Sequence, residues 1–253
     1  SPTQRQRDGW DLAADCYDSR WQAALAPAQE KLLDRASPMP GERALDVACG
    51  MGPVALSAAL RVGERGTVLG IDLSDRMVCA ARRRAEEGLV GNVRFERMDA
   101  ERLELADGSF DVALCSMGLM YATDPGRALR EMRRVLRPGG RLAVSAWGEP
   151  SRCGLDAAFP AIRGELDGER LPPYCGLGRG NDLAAECAER AMTFSAASAS
   201  RRRFPSHRRA RRGHDLAIEV REGDAVRPAH VKALATILHG AHQDGLERAE
   251  VVR

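Results

Sequence analysis

Between residues 43 and 147, short apolar runs alternate with longer stretches whose apolar residues recur at helical spacing. The runs with the length of a strand lie at residues 44–48, 67–71, 93–97, 110–115 and 141–146. The fourth contains Val112-Ala113-Leu114-Cys115, and such continuous apolar sequence is typical of strands covered by helices on both faces. The alternation predicts an α/β fold in which a mostly parallel sheet carries helices on both faces.

The segments between the predicted strands carry signals for the start and the end of helices. Ser74 or Asp75 can cap a helix that Gly88 ends. In a later helix, Asp124 can accept hydrogen bonds from the first free amides while Pro125 takes a first-turn position. The connections have ordinary lengths, and the core is expected to close near residue 148.

Outside this core the chain changes character at both ends. We divide it into a helical cap (1–40), the core (41–148), a lid or substrate region (149–199) and an irregular Arg-rich tail (200–253). The cap carries Trp10, Tyr17 and Trp21, and aromatic residues there serve either core packing or ligand contact. Tyr17 and Trp21 are our candidates for a lid over substrate and cofactor.

Composition narrows the classes of function. A formal net charge of +2 is too small to indicate a nucleic-acid or membrane partner. The seven cysteines include no Cys-x-x-Cys pair, which favours neither a disulfide framework nor a zinc site, so we expect a cytoplasmic protein without a bound metal. No uninterrupted apolar run approaches the roughly 20 residues that span a bilayer, and the polar first residues do not indicate export.

The first predicted strand runs directly into a glycine-rich turn, Cys49-Gly50-Met51-Gly52, and a helical pattern follows. Glycines there let the backbone turn and approach a ligand, although a tight turn alone would also explain them. The G-x-G-x-x-G spacing of dinucleotide sites is missing. Asp46 precedes the turn, and its carboxylate would repel a pyrophosphate but attract an aminoacyl ammonium, which favours S-adenosylmethionine over NAD.

Acidic residues also follow the second and third predicted strands. Asp72 ends the second strand, where a carboxylate can accept hydrogen bonds from both hydroxyls of a ribose, although it could instead cap a helix. Asp99 and Ala100 follow the third strand, where a carboxylate beside backbone amides can read an adenine, or can simply keep a loop soluble. Met77 can lie against the adenine face or fill the core.

Taken in order, residues 45–52, 70–74, 98–100, 110–116 and 136–141 resemble the successive motifs of class I S-adenosylmethionine-dependent methyltransferases. The closest similarity is to the ubiquinone/menaquinone-biosynthesis type (methyltransferase domain type 11), and it covers roughly residues 10–148. The resemblance implies a Rossmann-like core whose sheet continues with two more strands, which are not recognisable in this sequence.

The resemblance also implies which residues bind the cofactor. These are Asp46, Ala48, Gly50, Met51 and Gly52 at the methionine part, Asp72 and Leu73 at the ribose, Met77, Asp99 and Ala100 at the adenine, and Ser116 facing the cofactor. Ala48 replaces a frequent glycine of the family, and Met51 replaces a frequent threonine, which puts the affinity for the cofactor in question.

The implied reaction is an in-line transfer of the sulfonium methyl to a small-molecule acceptor, at carbon or oxygen. Alignment of the reactants supplies much of the rate in such transfers. The sequence identifies no general base, and Tyr121 is the candidate on the substrate side. The oligomeric state is left open, and a homo-oligomer is compatible with the sequence.

Three alternatives stay open. Six cysteines invite comparison with arsenic methyltransferases, whose thiols hold the substrate, although Cys49, Cys79 and Cys115 also suit small apolar positions of the core. The dense Arg block at residues 201–212 is explained by a divergent insertion, by a basic arm for nucleic acid or by a different reading frame. The second function class is therefore a catalytically silent cofactor-binding module or an RNA-associated protein.

Overall fold

The computed structural model describes residues 1–146, 193–196 and 216–221. In chain order the elements are α1 (Pro2–Ala36), β1 (Arg43–Val47), α2 (Pro53–Val62), β2 (Thr67–Asp72), α3 (Asp75–Glu87), β3 (Val93–Arg97), β4 (Phe110–Ser116), a 3-10 helix (Leu119–Tyr121), α4 (Pro125–Val135), β5 (Leu136–Ala146), β6 (Thr193–Ala196) and β7 (Leu216–Arg221). Within these residues no helix is long and apolar enough to cross a membrane.

The strands form one sheet in the order β3-β2-β1-β4-β5-β7-β6. Strands β1 to β5 are all parallel to one another, and β7 pairs antiparallel with both β5 and β6. The strand order reverses between β1 and β4, and at such a switch point the loops leave the sheet in opposite directions and open a crevice. The predicted α/β fold is confirmed, and all five predicted strands are present.

Strands β6 and β7 lie in the part of the chain where no strand was recognised. Residues 216–220 pair with residues 142–146, so β7 covers the edge of β5. The tail is therefore not irregular throughout, and that part of the sequence-based description is corrected. The alternation of Leu216, Ile218 and Val220 is a strand signal, but its Arg-rich neighbourhood obscured it. Apart from β6 in the proposed lid region and β7 in the tail, both regions lie outside the described residues, as does the whole Arg block, and the segment boundaries stay predictions.

The helix starts are the ones that the sequence predicts. The hydroxyl of Ser74 accepts a hydrogen bond from the amide of Met77 at 3.1 Å and caps α3. The carboxylate of Asp124 accepts one from the amide of Arg127 at 2.8 Å and caps α4. Each cap satisfies an amide that the first helical turn leaves without a partner. Both loops are thereby fixed close to the ends of β2 and β4.

The sheet is covered on both faces by apolar residues of the helices. Leu129 and Met132 of α4 pack with Leu45 on one side, and Val54 of α2 packs with Leu114 on the other. These side chains are almost completely inaccessible to solvent, and burial of each such side chain contributes about 1.5–3 kcal/mol to folding. The strands are therefore held in place as a rigid platform for the loops at their ends.

The outer strand β3 is protected by an arginine of the neighbouring helix. Arg82 of α3 donates two hydrogen bonds to the backbone carbonyl of Phe95, from Nε at 2.9 Å and from Nη2 at 2.6 Å. An unpaired carbonyl on an edge strand is a template for pairing with another chain. The guanidinium occupies this acceptor and so disfavours edge-to-edge association.

Candidate functional site

A cleft opens where the carboxyl ends of β1, β2 and β4 face the first half of α1. Most of the residues predicted for the site line it, namely Ala48, Gly50, Asp72, Leu73, Met77, Asp99, Ala100 and Ser116 on the predicted cofactor side, with Tyr17 and Tyr121 opposite. These residues come from five different segments of the chain. Convergence of this kind follows from the parallel strands, because their carboxyl ends all meet at one edge of the sheet.

The glycine-rich turn has two glycines with different roles. Gly50 has a φ of +54° and lines the cleft, and a Cβ built there would meet nothing within 4 Å. Gly52 has a φ of +85°, and a Cβ there would lie 2.8 Å from the ring of Phe95. Gly50 therefore leaves open space beside the cleft, whereas Gly52 is required by packing. Met51 and Gly52 do not line the cleft.

Asp72 holds the glycine-rich turn as well as facing the cleft. Its Oδ2 accepts a hydrogen bond from the amide of Gly50 at 2.8 Å, and its Oδ1 accepts one from the amide of Ser74 at 2.9 Å. Burial raises the pKa of Asp72, and these amides oppose the shift. An ionised carboxylate offers about four lone-pair sites, so acceptor capacity remains for a ligand. The sequence predicted the ligand-facing role and not the bonds to the turn.

Asp46 lies beneath the cleft and does not reach its surface. The residue is 0% exposed, and neither carboxyl oxygen has a hydrogen-bond partner within the described residues. Burial raises the pKa of Asp46 well above its usual range, and the nearby Asp72 carboxylate raises it further. The backbone amide of Ala55 acts in the opposite direction, although it does not form a regular hydrogen bond with the carboxyl group. An unpartnered buried acid costs stability, so this residue type needs a reason other than packing.

The turn after β3 brings polar and apolar groups together. Oδ1 of Asp99 accepts a hydrogen bond from the amide of Glu101 at 2.9 Å, which fixes the carboxylate beside the cleft. Met77 lines the cleft with a side chain that is 2% exposed and belongs to the buried core. Both readings of Met77, against a ligand and in the core, are therefore compatible with its place.

Aromatic residues form the opposite wall. The ring centroid of Trp10 lies 4.9 Å from that of Tyr121 at an interplanar angle of 88°, and 6.0 Å from that of Tyr17 at 76°. Edge-to-face pairs of this kind are attractive beyond their buried area. Gln6 also donates a hydrogen bond to the backbone carbonyl of Tyr121. Burial raises the pKa of Tyr17, and the nearby Asp72 carboxylate adds to the rise.

Some of the lining was not predicted. The sequence analysis did not assign Thr3, Gln6, Trp10, Met98, Glu101, Cys115, Met117, Gly118, Leu119 and Ala122 to the site. Trp10 carried a signal, because aromatic residues are scarce in this chain and three of them lie in the cap. The cap's Trp21 instead packs against the core and does not line the cleft.

The described cysteines do not form a cluster that lines the cleft. Cys115 is buried and lines the cleft, Cys49 is buried outside its lining, and Cys79 is exposed. The interpretation of Cys79 as a core residue is therefore wrong, because its position on α3 faces solvent. The remaining cysteines of the comparison with arsenic methyltransferases lie outside the described residues, so the thiol hypothesis stays a prediction.

Comparison with known families decides the class. A family model for a methyltransferase domain matches residues 38–165, half of the chain. The chain belongs to this methyltransferase-domain family. The matched residues include the glycine-rich turn and the strands β1 to β5, so the resemblance read from the sequence is confirmed.

Similar proteins match about half of the chain. The ubiquinone/menaquinone biosynthesis C-methyltransferase UbiE of Azotobacter vinelandii is 43% identical over 122 residues, which are 48% of this chain and 48% of that protein. An uncharacterized 37.1 kDa protein in transposon TN4556 of Streptomyces fradiae is 44% identical over 131 residues, which are 52% of this chain and 36% of that protein. The chain spans about half the length, or less, of these curated relatives.

Solved structures share the fold. The structure of an S-adenosylmethionine-dependent methyltransferase from Aquifex aeolicus superposes on this chain with a TM-score of 0.56 at 19% sequence identity. The superposition covers 77% of this chain and 89% of the other. The [4+2]-cyclase SpnF has a TM-score of 0.57 at 28% identity, covering 70% and 61%. A cyclase on the same fold illustrates that a fold does not define a reaction.

Proposed function

We propose that this chain binds S-adenosylmethionine in the cleft and transfers its methyl group to a small-molecule acceptor. The observation that carries the proposal is the convergence of Gly50, Asp72 and Asp99 in one cleft. The three residues follow or end the neighbouring strands β1, β2 and β3. A nucleoside cofactor lying across those strand ends would meet a glycine turn, a ribose acceptor and an adenine-binding turn in succession.

The described residues fit the cofactor in charge and in space. Gly50 leaves room beside the cleft, and Asp72 faces it with acceptor capacity for two hydroxyls. The oxygens of the buried Asp46 carboxyl group have no hydrogen-bond partner within the described residues, and an aminoacyl ammonium bound above the turn would favour the ionised form of this group, with a bridging water connecting the two. When bound, S-adenosylmethionine supplies an electrophilic methyl group on a sulfonium centre.

The acceptor is proposed to bind between the cofactor residues and the aromatic wall. Trp10, Tyr17 and Tyr121 offer an apolar surface that excludes water and orients a planar acceptor. Tyr121 is our candidate for the residue that contacts the acceptor, and Tyr17 for the lid. The names of the UbiE relatives favour methylation at carbon, with a quinone precursor as the acceptor.

Calorimetric titration tests the cofactor assignment. We expect both S-adenosylmethionine and S-adenosylhomocysteine to bind with one molecule per chain. Absence of binding to protein whose folding is verified by circular dichroism would contradict the proposal.

Transfer of a labelled methyl group tests the reaction. The chain is incubated with methyl-labelled S-adenosylmethionine and a reduced quinone precursor that lacks the ring methyl, and label is counted in the organic extract. We expect label in the acceptor, with Asp72→Ala as the matched negative control. Cofactor binding without any transfer, over a panel of carbon and oxygen acceptors, would instead favour the catalytically silent binding module.

A further inference from the structure

Two loops of the cleft touch each other at Ala48 and Gly118. Ala48 follows β1 and leads into the glycine-rich turn, and Gly118 follows β4 and precedes the 3-10 helix that ends at Tyr121. Both residues line the cleft. Their contact therefore joins the cofactor side of the site to its aromatic wall.

The backbone conformation of Ala48 is unusual. Ala48 has a φ of +56°, in the left-handed region that L-residues with a Cβ rarely occupy. Such a conformation is disfavoured for a residue other than glycine, because it brings the Cβ too close to the following carbonyl oxygen. Ala48 therefore carries its methyl group in a backbone conformation that favours glycine.

The other side of the contact shows where that methyl group goes. A Cβ built on Gly118 would lie less than 3.0 Å from the Cβ of Ala48, which real Cβ atoms essentially never do, and 3.2 Å from Sγ of Cys115. The φ of Gly118 is −104°, which any residue adopts. Glycine at position 118 is therefore required for space and not for its backbone conformation.

A displacement of Gly118 would reach the aromatic wall through short connections. The backbone carbonyl of Gly118 accepts a hydrogen bond from the amide of Tyr121 at 2.9 Å. The Tyr121 ring in turn packs edge-to-face on Trp10. On the near side, Met117 is fixed by its amide, which donates to the carbonyl of Ser145 at 2.9 Å. The loop has little freedom to absorb an added methyl group by moving away.

We propose that Ala48 and Gly118 are a size-complementary pair of positioning residues that sets the separation between the cofactor loop and the aromatic wall. The space between the loops accepts one methyl group, and the pair acts on the site through Gly50 on one side and Tyr121 on the other. The inference rests on the proposed function, because its consequence is the alignment of cofactor and acceptor. Small displacements of reacting groups lower methyl-transfer rates steeply.

A double-mutant cycle tests the pair. The proteins are the wild type, Gly118→Ala, Ala48→Gly and the double variant, and the measurements are affinity for S-adenosylhomocysteine, near-ultraviolet circular dichroism and thermal unfolding. We expect Gly118→Ala to weaken binding by at least about tenfold and to change the aromatic dichroism signal. In the double variant, the affinity should return to within about threefold of the wild-type value and the dichroism signal to the wild-type spectrum. The reason is that Ala48→Gly removes the opposing methyl group.

Gly91→Ala is the matched control, because Gly91 is not left-handed and a Cβ there would meet nothing within 4 Å. Gly118→Ala behaving like this control would overturn the proposal, as would a double variant no better than Gly118→Ala alone. Lower thermal stability with unchanged affinity and dichroism would also overturn the positioning role. If the wild type does not bind the ligand, the proposed function fails, and the dichroism and unfolding cycles still decide whether the two positions are coupled.

Discussion

At the carboxyl ends of the strands, Asp46 and Asp72 are buried and form no ion pair within the described residues, whereas the acids at the amino ends are bound to arginines. Glu42, just before β1, receives two hydrogen bonds from the guanidinium of Arg141, at 2.9 and 2.6 Å. The same arginine donates to the carbonyl of Ala36 at 2.9 Å and ties the end of α1 to the sheet.

The pKa directions follow the same division. Burial raises the pKa of both Asp46 and Asp72. Partial burial also acts to raise that of Asp111 at the start of β4, but the amide of Arg43 and the guanidinium of Arg137 together lower it below its usual value. Within the described residues, these two groups with raised pKa values and no protein counter-charge lie at the end of the sheet where we propose that the ligand binds. The paired end contributes to stability instead.

The largest expected effect is at the paired end. Replacing Arg141 by Met leaves Glu42 buried without its partner, and we expect a loss of about 3 kcal/mol in the free energy of unfolding. Urea denaturation measures it. Arg61→Met is the control, since its partner Asp34 is 63% exposed and a pair open to solvent contributes less than about 1 kcal/mol. Equal losses in the two variants would contradict the distinction between a buried and a surface pair.

At the ligand end, Asp72→Ala removes the proposed ribose acceptor and the bond that holds the Gly50 amide. We expect the affinity for S-adenosylhomocysteine to fall by about 1–3 kcal/mol, the range for polar groups left without partners. Calorimetric titration gives the value. Asp111→Ala is the matched control at the opposite end of the sheet, and a similar loss of affinity there would show that the effect is not specific to the site.

Asp46→Asn tests the cost of the buried acid. Because the pKa of Asp46 is raised in the folded protein, the folded state retains a proton that the unfolded chain loses above pH 4, so its contribution to stability falls as pH rises towards the folded pKa. We therefore expect the variant to gain on the order of 1 kcal/mol relative to the wild type at pH 8, and little at pH 4.

Urea unfolding at the two pH values measures this difference, with Asp34→Asn on the surface as the control. A pH-independent difference between Asp46→Asn and the wild type would argue against a raised pKa. Weaker binding of S-adenosylmethionine by the same variant would identify what the wild type gains from the carboxyl group.

The smallest effect concerns Asp111, whose pKa is lowered. A lowered pKa contributes stability above the unfolded value, near 4, and this contribution is lost as pH falls through the folded value. We expect Asp111→Asn to cost about 0.5 kcal/mol at pH 7 and nothing in strong acid. Stability curves from pH 2 to 7 measure it, and a constant difference over that range would contradict the assignment.

The sequence by itself determined the local features of this protein. The spacing of apolar residues located the five parallel strands, and the helix-capping residues located the starts of α3 and α4. Both signals depend on residues only a few positions apart in the chain. The order of a glycine turn, Asp72 and Asp99 along the chain also predicted that Gly50, Asp72 and Asp99 meet in one cleft, since parallel strands bring their carboxyl ends together.

Only the tertiary structure decided which side chains share a cleft and which are hidden below it. It placed Trp10 against Tyr121, kept Trp21 and Asp46 out of the cleft lining, and recruited β7 to the edge of β5. Each of these depends on segments that are distant along the chain, and no local pattern encodes their distances. The contact of Ala48 with Gly118 is the clearest case, because its physical cause is the space between two loops and not the preference of either residue.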